Sequence, residues 1–309
     1  MVEDGRYYPA LKGLSVRQDR MTPYYEAAWD MRSAVMLDWI EAGETSLARL
    51  LSRFQEHERH YKIYAGTDGD ILSGWLRWWD RTNDWPWRGL KKLETSQPAV
   101  SRGLDVDLSP YVKFDLSEML CDFADDVDTI VELGSGYGLQ LFKLYHAGAP
   151  ASARYVGAEI SSSGRALAET LAALEPGLRF ESREFDLNRP DWSILDGSRK
   201  ALIFSSWALM YPHSLPNDFF EGLSRWAGAA TLVFCEPLGY QWGVSHPMSE
   251  NQMSAARAGQ LNCNLAALAA DATAKGLIEP LLVAKDVFSC SQDDAFDLMS
   301  VLVYAKPES

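Results

Sequence analysis

The sequence predicts a doubly wound α/β domain: a seven-stranded, mostly parallel sheet with an antiparallel last strand, preceded by an N-terminal helical cap. Three observations carry that expectation. Short apolar runs alternate with helical segments from about Ser117 onward, a three-glycine turn closes the first of those runs, and the chain before them has helical grammar. With 309 residues, one large domain or two unequal ones are expected. We divide the chain into a cap over residues 1–114 and a sheet domain over 115–309, with a soft boundary where Pro98, Gly103 and Pro110 interrupt any pattern.

The cap opens with "YYEAAWDMRSAVMLDWIEAG", whose apolar residues recur at three- and four-residue spacing and stop at Gly43. "TSLARLLSRFQEHERHYKIYAG" repeats the grammar and stops at Gly66. A third helical stretch, "GDILSGWLRWWDRTND", breaks at "WPWRG", and no strand-like alternation stands out before residue 105. Trp75, Trp78 and Trp79 fall on one helical stripe, whose usual fate is packing against another element.

In the second part the strand-like runs are "TIVEL" (129–133), "RYVGAEI" (154–160), "LRFESREF" (178–185), "ALIFSSW" (201–207), "ATLVFCE" (230–236), "LLVAKDVF" (281–288) and "LMSVLVYAK" (298–306). Helical segments lie between them, the longest being "SENQMSAARAGQLNCNLAALAADATAKG". About ten residues separate the last two runs, too few for a helical crossover, so the seventh strand is expected to return antiparallel.

Composition narrows the function. The chain is 47% apolar and 23% charged, with a net charge of −14 that opposes a phosphate backbone, so no nucleic-acid partner is expected. The four cysteines lie far apart without CxxC spacing, which argues against a metal site and a disulfide scaffold; Cys235 reads as a small buried strand residue. No run is long and apolar enough for a bilayer, and the charged first twenty residues do not read as a signal peptide. A cytoplasmic chain with no membrane partner is expected. The sequence leaves the oligomeric state open, a homodimer included.

Gly134-Ser135-Gly136-Tyr137-Gly138 follows a strand and opens a helix, where bare backbone and free N–H groups can approach a small polar ligand. A dinucleotide turn would place its third glycine one position later, and no G-K-[ST] follows to make a P-loop. Glu132 before the turn opposes a pyrophosphate but suits a ligand carrying a cation. Glu159 ends the second strand, where a carboxylate can accept both hydroxyls of a ribose. Asp186, just past the third strand, can accept from an adenine amino group. A side chain at Gly136 is expected to occupy the ligand's place.

With these residues in view the chain resembles the class I S-adenosylmethionine-dependent methyltransferases. The matching stretches are "VELGSGYG" (131–138), "VGAEIS" (156–161), "REFDLN" (183–188), "IFSSWALMYP" (203–212) and "VFCEPLG" (233–239), and the final strand fits that family's seven-stranded sheet. The likeness covers roughly residues 117–306. It implies S-adenosylmethionine as cofactor, held by Glu132, Gly134, Ser135, Gly136, Gly138, Glu159, Ile160, Phe185, Asp186, Leu187, Ser205 and Ser206. Ser205-Ser206-Trp207 replaces the Asp/Asn-Pro-Pro-Tyr/Phe form of members that methylate amino groups on nucleic acids and some proteins. It resembles the small-molecule form.

The expected reaction is methyl transfer to an oxygen or nitrogen of a small molecule or peptide side chain. The alternatives are methylation of a basic protein partner and an inactive binding module. Candidate catalytic residues are Tyr211, His213 and Glu236, beyond the ends of the fourth and fifth strands, and a histidine there can serve as general base near neutral pH. His246 has a weaker claim. Trp207, Tyr240 and the loop tryptophans Trp85 and Trp87 are candidate substrate walls, with Arg77, Arg81 and Arg88 near the latter pair.

Overall fold

The structure is a computed structural model that describes residues 21–64, 74–77, 115–243, 247–259, 261–289 and 298–308. Helix α1 (Met21–Glu41) ends at Gly43, whose φ of +97° suits the turn that receives the last carbonyls, with its N–H on Ile40 O at 2.9 Å. Helix α2 (Leu47–His60) starts at Ser46, whose hydroxyl accepts from the Arg49 N–H. Leu47, Leu50, Leu51 and Phe54 repeat on the buried face of α2.

A two-stranded sheet then follows where helix was expected. β1 (Tyr61–Tyr64) pairs antiparallel with β2 (Gly74–Arg77), placing Tyr61 opposite Arg77 and Ile63 opposite Trp75. The helical reading of both stretches is therefore corrected over these residues. Aromatic and β-branched residues favour a pleated ladder, and pairing with a partner outweighs a short helical spacing match. Trp78 and Trp79 lie outside the described residues.

The seven expected runs all become strands of one sheet: β3 (Thr129–Leu133), β4 (Arg154–Glu159), β5 (Phe180–Glu184), β6 (Lys200–Ser206), β7 (Ala229–Glu236), β8 (Glu279–Ser289) and β9 (Leu298–Lys306), in the order β5-β4-β3-β6-β7-β9-β8. β9 alone runs against its neighbours, antiparallel to both β7 and β8, as the short connection required. Helices α3 (Leu116–Cys121), α4 (Leu139–His146), α5 (Ser162–Ala172), α6 (Phe219–Ser224), α7 (Pro247–Arg257) and α8 (Leu265–Ala274) complete the α-helices among the described residues. The single long helical segment expected near the C-terminus is divided into α7 and α8. Gly259 at φ +77° and the side chain of Asn262, which accepts from the Asn264 and Leu265 N–H groups, end one helix and begin the other.

Each face of the sheet has its own apolar cluster. Ile130, Tyr155, Leu202 and Phe204 pack on one side with Leu141 of α4, Leu167 of α5 and the α1–α2 residues Met36, Leu50 and Phe54. Val131, Val156, Ile203 and Leu232 pack on the other with Phe219 of α6 and Leu265 of α8. Side chains of a strand alternate between faces, so runs apolar at nearly every position suit strands covered on both sides. The N-terminal helices thus share a core with the first of these faces. Cys235 is buried in β7 as expected. No helix among the described residues is long and apolar enough to cross a membrane.

Candidate functional site

Strand order reverses between β3 and β6, which lie side by side with Leu133 opposite Ser205. At such a switch point the loops leaving the two strands diverge, and the crevice beyond the carboxyl ends of the strands receives ligand. The turn leaving β3 is Gly134–Gly138, and the loop leaving β6 begins at Trp207. They touch directly: a Cβ on Gly134 would run into the Cβ of Ala208. Gly134, Gly136 and Gly138 have φ of +70°, +54° and +83°, a region unfavourable to residues with side chains. Trp207 also adopts positive φ, at +58°.

Two carboxylates face this turn. Glu159, at the end of β4 and 6% exposed, accepts from the Gly136 N–H at 2.8 Å through Oε2 and from the Ser161 N–H at 2.8 Å through Oε1. Burial pushes its pKa up, against the pull of the Ser161, Gly136 and Ile160 N–H groups and the Arg165 guanidinium. Glu132, 3% exposed on β3, has an Oε2 with no hydrogen-bond partner among the described residues. Burial pushes its pKa well above the ordinary carboxylate range; the Leu141 N–H opposes this and the charge of Glu159 adds to it. A buried acceptor without a donor beside a second acid fits a ligand that brings positive charge and hydroxyl donors. It does not fit a pyrophosphate.

The other residues expected at the cofactor lie at or just beyond the carboxyl ends of β3 to β6. Ser135 and Ser205 are buried, Ser206 and Ile160 are half-buried at the strand ends, and Phe185 is buried with its N–H on Glu159 O at 3.2 Å. Leu187 is half-buried next to the second apolar cluster. Asp186 accepts from the Asn188 N–H and Nδ2 at 2.8 and 2.9 Å, closing a turn just past β5. The expectation for Gly136 is revised: a Cβ there would meet the indole of Trp29 on α1, so the glycine leaves room for a protein side chain.

The three catalytic candidates fall into different settings. Glu236 ends β7 fully buried and accepts from the Ala208, Leu209 and Met210 N–H groups at 3.0, 3.0 and 3.2 Å. Burial raises its pKa to about 7, against the Ala208 N–H, the Ser205 hydroxyl and the other two N–H groups. It anchors the β6 loop. Tyr211, half-buried further along that loop, meets Tyr25 of α1 edge-to-face at 5.5 Å. His213 lies beside the α7–α8 connection, with Nδ1 3.3 Å from Leu261 O and Nε2 3.8 Å from Cys263 Sγ. A carbonyl only accepts, so Nδ1 is the donor in the first contact. Tyr240 is buried with its hydroxyl donating to Asn262 O. Trp207 is half-buried. Trp85, Trp87, Arg81, Arg88 and His246 lie outside the described residues, and Arg77 is described only as a strand residue.

Two groups escaped the sequence reading. Asn262 ties three segments together: it donates to Pro212 O at 2.9 Å, its N–H reaches Met210 O at 2.7 Å, and its carbonyl accepts from Tyr240 and Gln241. No motif marks it. Glu26, Trp29 and Asp30 lie on α1 at i, i+3 and i+4, a signal visible in "EAAWD" but absorbed there into the amphipathic pattern.

Strand order and the antiparallel last strand define a doubly wound seven-stranded α/β fold, with a glycine turn between two acids at its switch point. No family model matches the sequence, and no curated protein matches it. Solved structures that it resembles include a geranyl diphosphate C-methyltransferase from Streptomyces coelicolor A3(2), at 15% identity and a TM-score of 0.41, covering 62% of this chain and 77% of that one. The N-terminal domain of EvdMO1 with SAH bound is 15% identical at a TM-score of 0.41, over 85% of this chain and 98% of that one. A SAM dependent methyltransferase from Aquifex aeolicus is 17% identical at a TM-score of 0.39, over 68% and 97%.

Proposed function

We propose that the chain is an S-adenosylmethionine-dependent methyltransferase acting on an oxygen or nitrogen of a small molecule or peptide side chain. The observation that carries this reading is the buried Oε2 of Glu132, without a hydrogen-bond partner among the described residues, beside the Glu159 carboxylate and a glycine turn at the switch point. Residues 115–309 form the cofactor-binding unit, and residues 1–114 contribute to recognition of the acceptor.

When bound, the cofactor would supply an activated sulfonium methyl to a nucleophilic acceptor, with S-adenosylhomocysteine as the leaving group. Glu132 and Glu159 hold positive charge and ribose hydroxyls, respectively. The loop from Trp207 to Tyr211 flanks the transfer point, and Glu236 fixes its main chain, so the residues' main contribution is alignment. His213 takes the proton of an acceptor that arrives protonated, with Tyr211 lining the approach. Trp207 walls the acceptor side, and Tyr240 supports it from the Asn262 carbonyl.

Calorimetric titration with S-adenosylmethionine and S-adenosylhomocysteine tests the first half, with NAD as control. Saturable binding of the first two alone is expected; binding of NAD instead would overturn the reading. Turnover assays that detect S-adenosylhomocysteine across alcohol, carboxylate and amine acceptors test the second half. Activity confined to basic proteins, lost with salt, would replace the small-molecule acceptor by a protein.

A further inference from the structure

Helix α1 spans the crevice and touches both walls. Toward the β4 side, Glu26 receives the Ser161 hydroxyl at 2.9 Å, the Ser162 N–H at 2.6 Å and hydroxyl at 3.0 Å, and the Ser163 N–H at 3.0 Å. Asp30, one turn on, receives the Ser163 hydroxyl. Toward the β6 side, Tyr25 meets Tyr211. Between them the Trp29 indole covers Gly136, abuts Gly164 and stands 5.6 Å from Tyr137, the residue within the glycine turn.

We infer that α1 is the roof of the donor crevice and that Glu26 is the positioning residue that latches it, retaining the adenosyl cofactor through the Glu26–Ser161–Glu159 connection. This rests on the reading of the crevice as an S-adenosylmethionine site. Ser161 is the shared member: its hydroxyl binds Glu26 while its N–H binds Glu159 Oε1, the acid assigned to the ribose. The first turn of α5 has N–H groups with no partner inside the helix, and the Glu26 carboxylate supplies two of them with an acceptor. Partial burial alone would raise the Glu26 pKa, but the N–H groups of Ser163 and Ser162 and the serine hydroxyls hold it at about 2. The latch is therefore charged throughout neutral and mildly acid conditions. Glu58 and Arg32, which pair at 3.0 Å, are the charged groups flanking Tyr137 on the α1–α2 side, and they balance one another.

The test compares S-adenosylhomocysteine binding by the full-length wild type and Glu26→Gln, alongside thermal unfolding without ligand. At least about tenfold weaker binding is expected for the variant, chiefly through faster release, because hydrogen bonds to a charged acceptor are among the stronger ones. A wild type that binds no S-adenosylhomocysteine removes the parent reading and the roof with it. Wild-type binding with equal or tighter binding by Glu26→Gln overturns the roof alone, whatever happens to the unfolding temperature. If that variant does not fold, amide exchange of the wild type decides: residues 25–30 gain protection at saturating ligand, and unchanged exchange there overturns the inference.

Discussion

Glu159 Oε2 lies 2.8 Å from the Gly136 N–H, so the acid ending β4 holds the turn that leaves β3. The same side chain holds Ser161, at the start of α5, through its other oxygen. One carboxylate thereby fixes two neighbouring strand ends while each oxygen retains a lone pair for a ligand donor. Structure and binding meet in the same group, and substitutions there act on both.

Glu159→Ala is expected to weaken S-adenosylhomocysteine binding by about 1.5–3 kcal/mol, the range for hydrogen bonds to a charged acceptor. It also lowers stability, since two N–H groups lose their partner. Titration calorimetry with urea unfolding separates the two effects, and unchanged affinity would place the ribose elsewhere.

Gly136→Val meets two obstacles. A β-branched residue at φ +54° is strained, at a cost on the order of 1–3 kcal/mol, and its Cβ collides with Trp29. Adding Trp29→Ala removes the collision and leaves the strain. A double-mutant cycle in urea should therefore show coupling between the two substitutions. Strict additivity would mean that Trp29 does not press on the turn in solution.

The central strands β3, β4, β6 and β7 were legible because each is a short run with few polar positions, and both faces of the sheet demand that pattern. Glu132 and Glu159 were legible for the opposite reason: acids in such runs oppose the local grammar, and a buried acid needs a purpose. The β1–β2 pair was not legible, since "YKIY" and "GWLR" are four residues each and find their conformation only in one another. Nor was the contact between Glu26 and Ser161–Ser163, which joins residues 135 or more positions apart. Sequence spacing reports the face on which a residue lies, whereas the partner of that face is set by packing.

Cofactor binding should release protons from the buried pair of acids. Burial raises the pKa of both Glu132 and Glu159, and the charge of Glu159 raises that of Glu132 further. A ligand that brings positive charge favours the ionised forms and lowers both values. Calorimetry in buffers of different ionisation enthalpy measures the protons directly. S-adenosylmethionine, with its sulfonium, should release more than neutral-sulfur S-adenosylhomocysteine, and proton uptake on binding would contradict the placement of Glu132.

Glu236 makes the protein's stability depend on pH in a defined direction. Its pKa is about 7 when folded against an ordinary value of 4.5, so the folded chain binds the proton more tightly than the unfolded one. The stabilisation that this provides is complete below the unfolded value and is lost as pH rises through 7. The span corresponds to roughly 3 kcal/mol at the standard conversion. Glu236→Gln keeps the shape and a carbonyl acceptor for the Ala208 and Leu209 N–H groups but does not titrate. Its unfolding free energy relative to wild type should therefore rise between about pH 5 and about pH 8, while the drift from all other groups cancels. Urea unfolding of both proteins across that range supplies the difference, and a flat difference would show that Glu236 titrates at its ordinary value and that the β6 loop is held by an ionised acid throughout. Glu236→Ala, by contrast, strands three buried N–H groups and should lose stability at every pH, by about 2–4 kcal/mol.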